Sequence, residues 1–399
     1  MVPGVYLSIR GTNKFAMTTK RRNFIKSVAA LGGASVLSFN GAAANFMSRP
    51  RNKGSLKLQW TAYDLQMKHV FTIAGSSRKT TPVVLTALTY DGVTGYGEAS
   101  LPPYLGESQA SVMEFLKKID LSGFSNPFHI EEILQYIDKI AENNTAAKAS
   151  VDIALHDLTG KLMGQPWYKM FGLNLAKIPN TTYTIGIDTD EMIRTKVKEV
   201  EGQFNILKVK LGTADDKRII NAVRSATKLP IAIDANQGWK DKHEALDMIN
   251  WLKEQGIVMI EQPLNKYNLD DNAWITERSP LPVFGDESVQ RLRDVQRLKG
   301  VFSGVNIKLM KCTGIREAWQ MRNLAQSLNM KTMLGCMTET SCAISAAAQI
   351  VAGVDFADLD GNLLIANDAF DGAIFRDGKT IPNDRPGIGV MPKLKIGFK

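Results

Sequence analysis

Eight short apolar runs recur at intervals of roughly 22 to 28 residues in the second half of the chain, which leaves room for one helix between successive strands. They are TYTIGI, ILKVKLG, PIAIDAN, VMIEQP, PVFGDES, GVNIKLM, TMLGCM and FADLDG. The repeat predicts an α/β fold, a (β/α) barrel of parallel strands. Six runs end in charged side chains: Lys208 and Lys210 on the second, Asp234 on the third, Glu261 on the fourth, Asp286 on the fifth, Lys308 on the sixth, and Asp358 and Asp360 on the eighth. Charges in otherwise apolar strands are costly unless they pair or bind something. The set therefore marks a candidate active site at the C-terminal mouth, where barrel enzymes keep their chemistry.

The rest of the chain divides around that barrel. Residues 1 to 44 hold Arg10, Lys14, Lys20, Arg21, Arg22 and Lys26 and no acid, so they carry much of the formal charge of +9. Without them 43 basic residues face 40 acidic ones, which is no nucleic-acid footprint. Lys20-Arg21-Arg22-Asn23-Phe24-Ile25-Lys26 resembles the twin-arginine export motif, Ser27 to Phe39 follows as a weakly apolar stretch, and Ala42-Ala43-Ala44 fits a cleavage site. Residues 1–44 are thus expected to be a signal peptide for a periplasmic protein, with Met17 an alternative start. No apolar run reaches the roughly 18 residues that a membrane span needs.

Residues 45–55 read as a linker. Extended strands are expected from Leu56 to Glu98, with a turn at Tyr90-Asp91-Gly92, and helix from Ser108 to Leu162. This gives an α+β capping domain over 56–172, ahead of the barrel over 173–369. The end of the chain, about 370–399, has hairpin character at Phe375 to Ile381 and is expected to return to the first domain.

In a strand, residues two apart share a face, so Lys208 and Lys210 point the same way, as do Asp358 and Asp360. Asp234, Glu261 and Asp286 come from three consecutive strands and converge. Three carboxylates without His or Cys suit a hard cation, Mg²⁺ first and Mn²⁺ as the alternative. His69, His129, His156 and His243 all fall away from strand ends, and the odd set Cys312, Cys336 and Cys342 has no metal-type spacing and suggests no disulfide framework.

Strands four apart in a closed eight-stranded barrel face each other, so Lys210 opposes Lys308 across the metal ligands. One amine on each face of a bound carbon acid suits removal of a proton from one side and its return on the other. A lysine must be neutral to act as a base; the adjacent Lys208, a divalent cation and a dry mouth are expected to disfavour its protonated form.

These motifs resemble the enolase superfamily, in its muconate-lactonising-enzyme subgroup. ILKVKLG carries the Lys-x-Lys signature, IDANQGW, IEQP and GDES carry the metal ligands, and NIKLMK carries the second lysine. The resemblance implies an enolase-type barrel with a capping domain and one of several reactions, among them epimerisation, cycloisomerisation and dehydration. FADLDG resembles the Asp-x-Asp motif of the subgroup's dipeptide epimerases, which receives the substrate's α-ammonium. It further implies that Thr184 and Cys336 line the substrate site, and that Lys208 contacts the substrate carboxylate. Lys210 would serve the (R) and Lys308 the (S) substrate.

Family members acting on Ala-Glu place an arginine in the first capping loop. Arg78 is the nearest equivalent, although an ungapped match puts Ser76 there. The expectation is a Mg²⁺-dependent epimerase whose partner is a small dipeptide, most simply L-Ala-D/L-Glu, with a homo-oligomer left open. The alternatives are a cycloisomerase or o-succinylbenzoate synthase of the same subgroup, and an exported binding protein without catalysis.

Overall fold

The structure, a computed structural model, describes residues 54–73 and 76–399. The signal-peptide reading of residues 1–44 and most of the 45–55 linker fall outside the described residues. Among the described residues no helix is long and apolar enough to cross a membrane.

The capping region opens with an antiparallel sheet of β1 (Lys57–Ile73), β2 (Ser76–Tyr90) and β3 (Val93–Ser100) in that order. Asp91 and Gly92 turn β2 into β3, both with positive φ (48° and 76°), as a tight hairpin needs. Three helices follow, α1 (Gln109–Leu116), α2 (Ile130–Lys139) and α3 (Thr145–Met163), then a single turn, α4 (Trp167–Met170). The helical run expected over 108–162 is therefore broken twice. Gly123 and Pro127 lie in the first gap, and Asn143 and Asn144 adopt left-handed backbone (φ 58° and 52°) in the second, which helix cannot accommodate. Helix α3 packs flush on β3: a Cβ at Gly97 would lie 1.9 Å from the Ser150 carbonyl, so only glycine fits there.

Eight parallel strands follow in sequential order: β4 (Tyr183–Ile185), β5 (Leu207–Lys210), β6 (Ile231–Asp234), β7 (Ile257–Glu261), β8 (Val283–Gly285), β9 (Gly304–Lys308), β10 (Lys331–Gly335) and β11 (Phe356–Asp358). Between them run α5 (Asp190–Glu199), α6 (Asp216–Ala226), α7 (Lys242–Glu254), α8 (Leu269–Arg278), α9 (Leu292–Arg297), α10 (Ile315–Ser327) and α11 (Ser341–Ala348). A parallel bridge between Thr181 and Ala357, with Thr182 N–H donating to the Ala357 carbonyl at 3.0 Å, joins the first strand to the eighth. A 3₁₀ turn, Gly361–Leu364, stands where an eighth helix would begin.

Inside the barrel, Ile206, Ala232, Met259, Phe284 and Met333 form one buried apolar cluster. Lys208, Asp234, Glu261 and Asp286 each lie two residues beyond a member of it. Because alternate strand residues share a face, the charged layer sits directly above this floor.

The last residues divide between both parts. The hairpin β13 (Ile374–Arg376) and β14 (Lys379–Ile381), flanked by β12 (Phe370–Asp371) and β15 (Met391–Pro392), reaches the barrel. Phe375 stacks on Phe204 at 4.4 Å and the Gly378 carbonyl accepts from Thr181 N–H. The chain end instead meets the capping sheet, where Lys399 exchanges backbone hydrogen bonds with Trp60.

Candidate active site

Each charged residue of the repeat reaches the same mouth. Asp234, Glu261 and Asp286 are buried, and one carboxylate oxygen of each lies within 4.8 Å of the others. Lys210 Nζ lies 2.6 Å from Asp234 Oδ2, and Lys308 Nζ lies 2.8 Å from Asp286 Oδ2. Lys208, fully buried, reaches Glu261 Oε2 and Asp358 Oδ2 at 2.7 Å and Asp234 Oδ2 at 3.2 Å.

The donor set fits a hard divalent cation: three converging carboxylates with no sulfur or imidazole among them. Asn306 Nδ2 donates to Glu261 Oε1 at 2.7 Å and orients that carboxylate. Glu261 Oε2 is buried and accepts no hydrogen bond, since Lys208 Nζ approaches it closely but out of alignment. That oxygen, ion-paired but without a hydrogen bond, has a lone pair left for a cation at the acidic cluster.

In this network the carboxylates act on Lys208 and Lys308 in the opposite sense to burial. Burial acts to lower the Lys208 pKa, but Asp358, Glu261 and Asp234 together raise it well above the ordinary range. Lys308 is likewise raised, burial being outweighed chiefly by Asp286. Burial would raise Asp234, yet Lys210 and Lys208 bring it down to about 2. Glu261 is raised by burial and by the neighbouring Asp234 charge. These carboxylates face Lys208 and Lys308 directly, which stabilises the ammonium forms of those two lysines.

Asp358 and Asp360 both line the cavity with Lys210, Lys308, Thr184 and Cys336, but they are not equivalent. Both Asp358 oxygens are engaged inside the barrel, Oδ1 by the Thr182 hydroxyl at 2.5 Å and Oδ2 by Lys208. Asp360 lies past the strand end and accepts Thr184 N–H at 2.7 Å. Burial and the Asp358 charge push its pKa up to about 7. The two carboxyls of the Asp-x-Asp motif thus share the cavity but differ in partners, Asp358 being engaged at both oxygens and Asp360 accepting a backbone N–H.

Arg78 also lines the cavity. Its guanidinium donates to the Thr81 and Thr338 hydroxyls at 3.1 and 3.2 Å and lies over the Phe71 ring. Burial lowers its pKa, and no carboxylate ion pair holds it among the described residues. Ser76, the position of the ungapped match, is at the hairpin tip opposite Ile73 and is absent from the cavity wall.

The cavity wall also includes Tyr104, Asn236, Met337 and Thr338, which sequence reasoning missed. Asn236 carries a positive φ of 42° two residues past the third strand, a backbone turn that IDAN does not announce. Thr338 is held from the capping side, where the Ser100 hydroxyl donates to its carbonyl at 2.7 Å. Glu98 of β3 accepts Thr340 and Ala343 N–H groups at the start of α11. The capping sheet thereby fixes the barrel loop that carries Thr338.

A barrel whose mouth holds three metal-type carboxylates between two lysines, under an antiparallel capping sheet, is the arrangement of an enolase-type enzyme. Residues 59–172 match the mandelate racemase / muconate lactonizing enzyme N-terminal domain, and residues 192–396 match the enolase C-terminal domain-like family. The chain belongs to this mandelate racemase and muconate lactonizing branch of the enolase superfamily. It is 60% identical over 378 residues to the L-Ala-D/L-Glu epimerase of Bacteroides thetaiotaomicron, covering 93% of this chain and 99% of that one. It is 39% identical over 331 residues to the L-Ala-D/L-amino acid epimerase of Pedosphaera parvula, covering 81% and 95%. The substrate-liganded structure of the Bacillus subtilis L-Ala-D/L-Glu epimerase superposes with a TM-score of 0.77 at 28% identity, over 85% of this chain and 99% of that one.

Proposed function

We propose that this protein epimerises dipeptides at the carbon next to the C-terminal carboxylate, with L-Ala-D-Glu and L-Ala-L-Glu as the interconverted pair. The observation that carries the reading is the placement of Lys210 and Lys308 on strands four apart, each against a different carboxylate of one acidic triad. The 60% identity to an L-Ala-D/L-Glu epimerase supports the same substrate class.

In this reading one lysine, neutral at the start, takes the α-proton from one face. The C–H electron pair moves into the substrate carboxylate, and the ammonium of the other lysine delivers a proton to the opposite face. Asp234, Glu261 and Asp286 would hold a divalent cation, Mg²⁺ first and Mn²⁺ as the alternative. When bound, it would stabilise negative charge developing on the substrate carboxylate and offset the carboxylate charge that raises Lys308.

Lys208 binds the substrate carboxylate and keeps positive charge beside Lys210. Asp360, backed by Asp358, receives the α-ammonium. Arg78, a cavity guanidinium held only by hydroxyls, receives the glutamyl side-chain carboxylate. Thr184 and Cys336 shape the wall between them. The twin-arginine-like segment supports export to the periplasm, where such peptides arise from cell wall. Incubating the purified protein with a dipeptide library in D₂O tests the function: mass gain in Ala-Glu is expected, and none in any dipeptide contradicts it.

A further inference from the structure

Three residues past Lys308, the chain buries a fourth lysine at the site, one that the proposed reaction does not use. Lys311 is 1% exposed, and all three of its N–H donors are satisfied. Its Nζ donates to the Asp286 carboxylate Oδ1, to the Asp286 backbone carbonyl at 2.6 Å, and to the Asn306 carbonyl at 3.1 Å. Its own backbone N–H donates to the Lys308 carbonyl at 3.0 Å.

The bonds tie together different parts of the site. Holding both the side chain and the carbonyl of Asp286 restricts that carboxylate to one orientation, with Oδ2 left facing Lys308. Holding Asn306 fixes the strand that carries Lys308, and the Asn306 side chain in turn orients Glu261. Two of the three carboxylates and one base therefore share a single buried ammonium as their common support.

We propose that Lys311 is a positioning residue that sets divalent-cation affinity by locking Asp286 against the Lys308 strand. The proposal rests on the reading of Asp234, Glu261 and Asp286 as metal ligands. Groups that orient metal ligands from behind typically contribute about 10- to 100-fold in affinity. Simple removal of a nearby positive charge would act in the opposite direction and tighten cation binding, so the sign of the effect separates positioning from bulk electrostatics.

A control of the same build exists in the capping region. Lys148, also buried, donates to the Asp138 carboxylate and carbonyl and to the Ala141 carbonyl. The experiment titrates Mn²⁺ into chelator-treated full-length protein by calorimetry, without substrate, for wild type, Lys311→Met and Lys148→Met, with circular dichroism to establish folding. Wild type is expected to bind saturably, Lys311→Met about 10- to 100-fold more weakly, and Lys148→Met like wild type even where its thermal midpoint falls. A folded Lys311→Met with unchanged or tighter Mn²⁺ binding overturns the proposal. Should Lys311→Met not fold, Lys311→Leu likewise removes every side-chain donor, and wild-type affinity in that folded variant overturns it equally. Absence of saturable Mn²⁺ binding in wild type removes the metal-ligand reading itself, and Lys311's role with it.

Discussion

On the β5 flank of the mouth, Lys210 and Lys208 share a single oxygen of Asp234. On the β9 flank, Lys308 and Lys311 take the two separate oxygens of Asp286. Both flanks set a base against a carboxylate that a second buried lysine also holds. The second lysines differ in reach: Lys208 spans the barrel interior to Glu261 and Asp358, whereas Lys311 spends its other two bonds on backbone carbonyls. Both second amines are buried, one inside the barrel among three carboxylates and the other behind Asp286. The two flanks are alike in chemistry and unlike in what the second lysine ties together.

The largest expected effect comes from breaking either flank. Asp234→Asn and Asp286→Asn should each lower kcat/KM for Ala-Glu by roughly 10³-fold or more, as should Glu261→Gln between them. Chelation should do the same to wild type until Mg²⁺ is returned, and full activity in excess chelator would show that neither flank serves a metal.

A smaller loss is expected on the strand-eight side, which the β5 flank reaches through Lys208. Acetylating the dipeptide N-terminus removes the charge proposed to face Asp360, at a cost of about 2 to 5 kcal/mol in transition-state binding. Equal kcat/KM for free and acetylated Ala-Glu would detach Asp360 from the substrate.

On the capping side, Arg78→Ala should raise KM for Ala-Glu by roughly tenfold or more, while an uncharged dipeptide such as Ala-Leu changes little. Parallel losses on both substrates would make Arg78 a packing residue. At the lower end, Arg21→Lys with Arg22→Lys should leave both flanks and the purified activity intact while holding the precursor in the cytoplasm. Unchanged periplasmic recovery, in a strain with a working twin-arginine system, would contradict the export proposal.

The mouth lysines and the acidic triad were legible because a charge inside an apolar run is too costly to stand there without a partner or a ligand, and strand alternation then sends neighbours to one face. Lys311 carried no such signal. A lysine just after an apolar run reads as a solvated turn, and its burial depends on the chain folding back through Thr313 and Gly314, both at positive φ (64° and 115°). The unequal roles of Asp358 and Asp360 were hidden for a related reason: β11 ends at Asp358, so period-two alternation no longer holds at Asp360. In the capping domain, helical periodicity over 108–162 concealed two breaks, because apolar spacing persists across both the gap with Gly123 and Pro127 and the gap with the left-handed Asn143 and Asn144. Arg78 shows the limit of matching by position, since its long side chain reaches the cavity from two residues beyond Ser76.

The central claim is that Lys210 and Lys308 act on opposite faces of one carbon. It is tested most directly by following deuterium incorporation and stereochemistry together in D₂O for Lys210→Ala and Lys308→Ala. Each variant should fail to interconvert L-Ala-D-Glu and L-Ala-L-Glu, because the return proton has lost its donor. Lys308→Ala should still exchange the α-proton of L-Ala-D-Glu without inversion, and Lys210→Ala that of L-Ala-L-Glu, each more slowly than wild type since the lost ammonium also shaped the field at the carboxylate. A variant lacking one lysine that still interconverts the two isomers at near wild-type rate would contradict the two-base account.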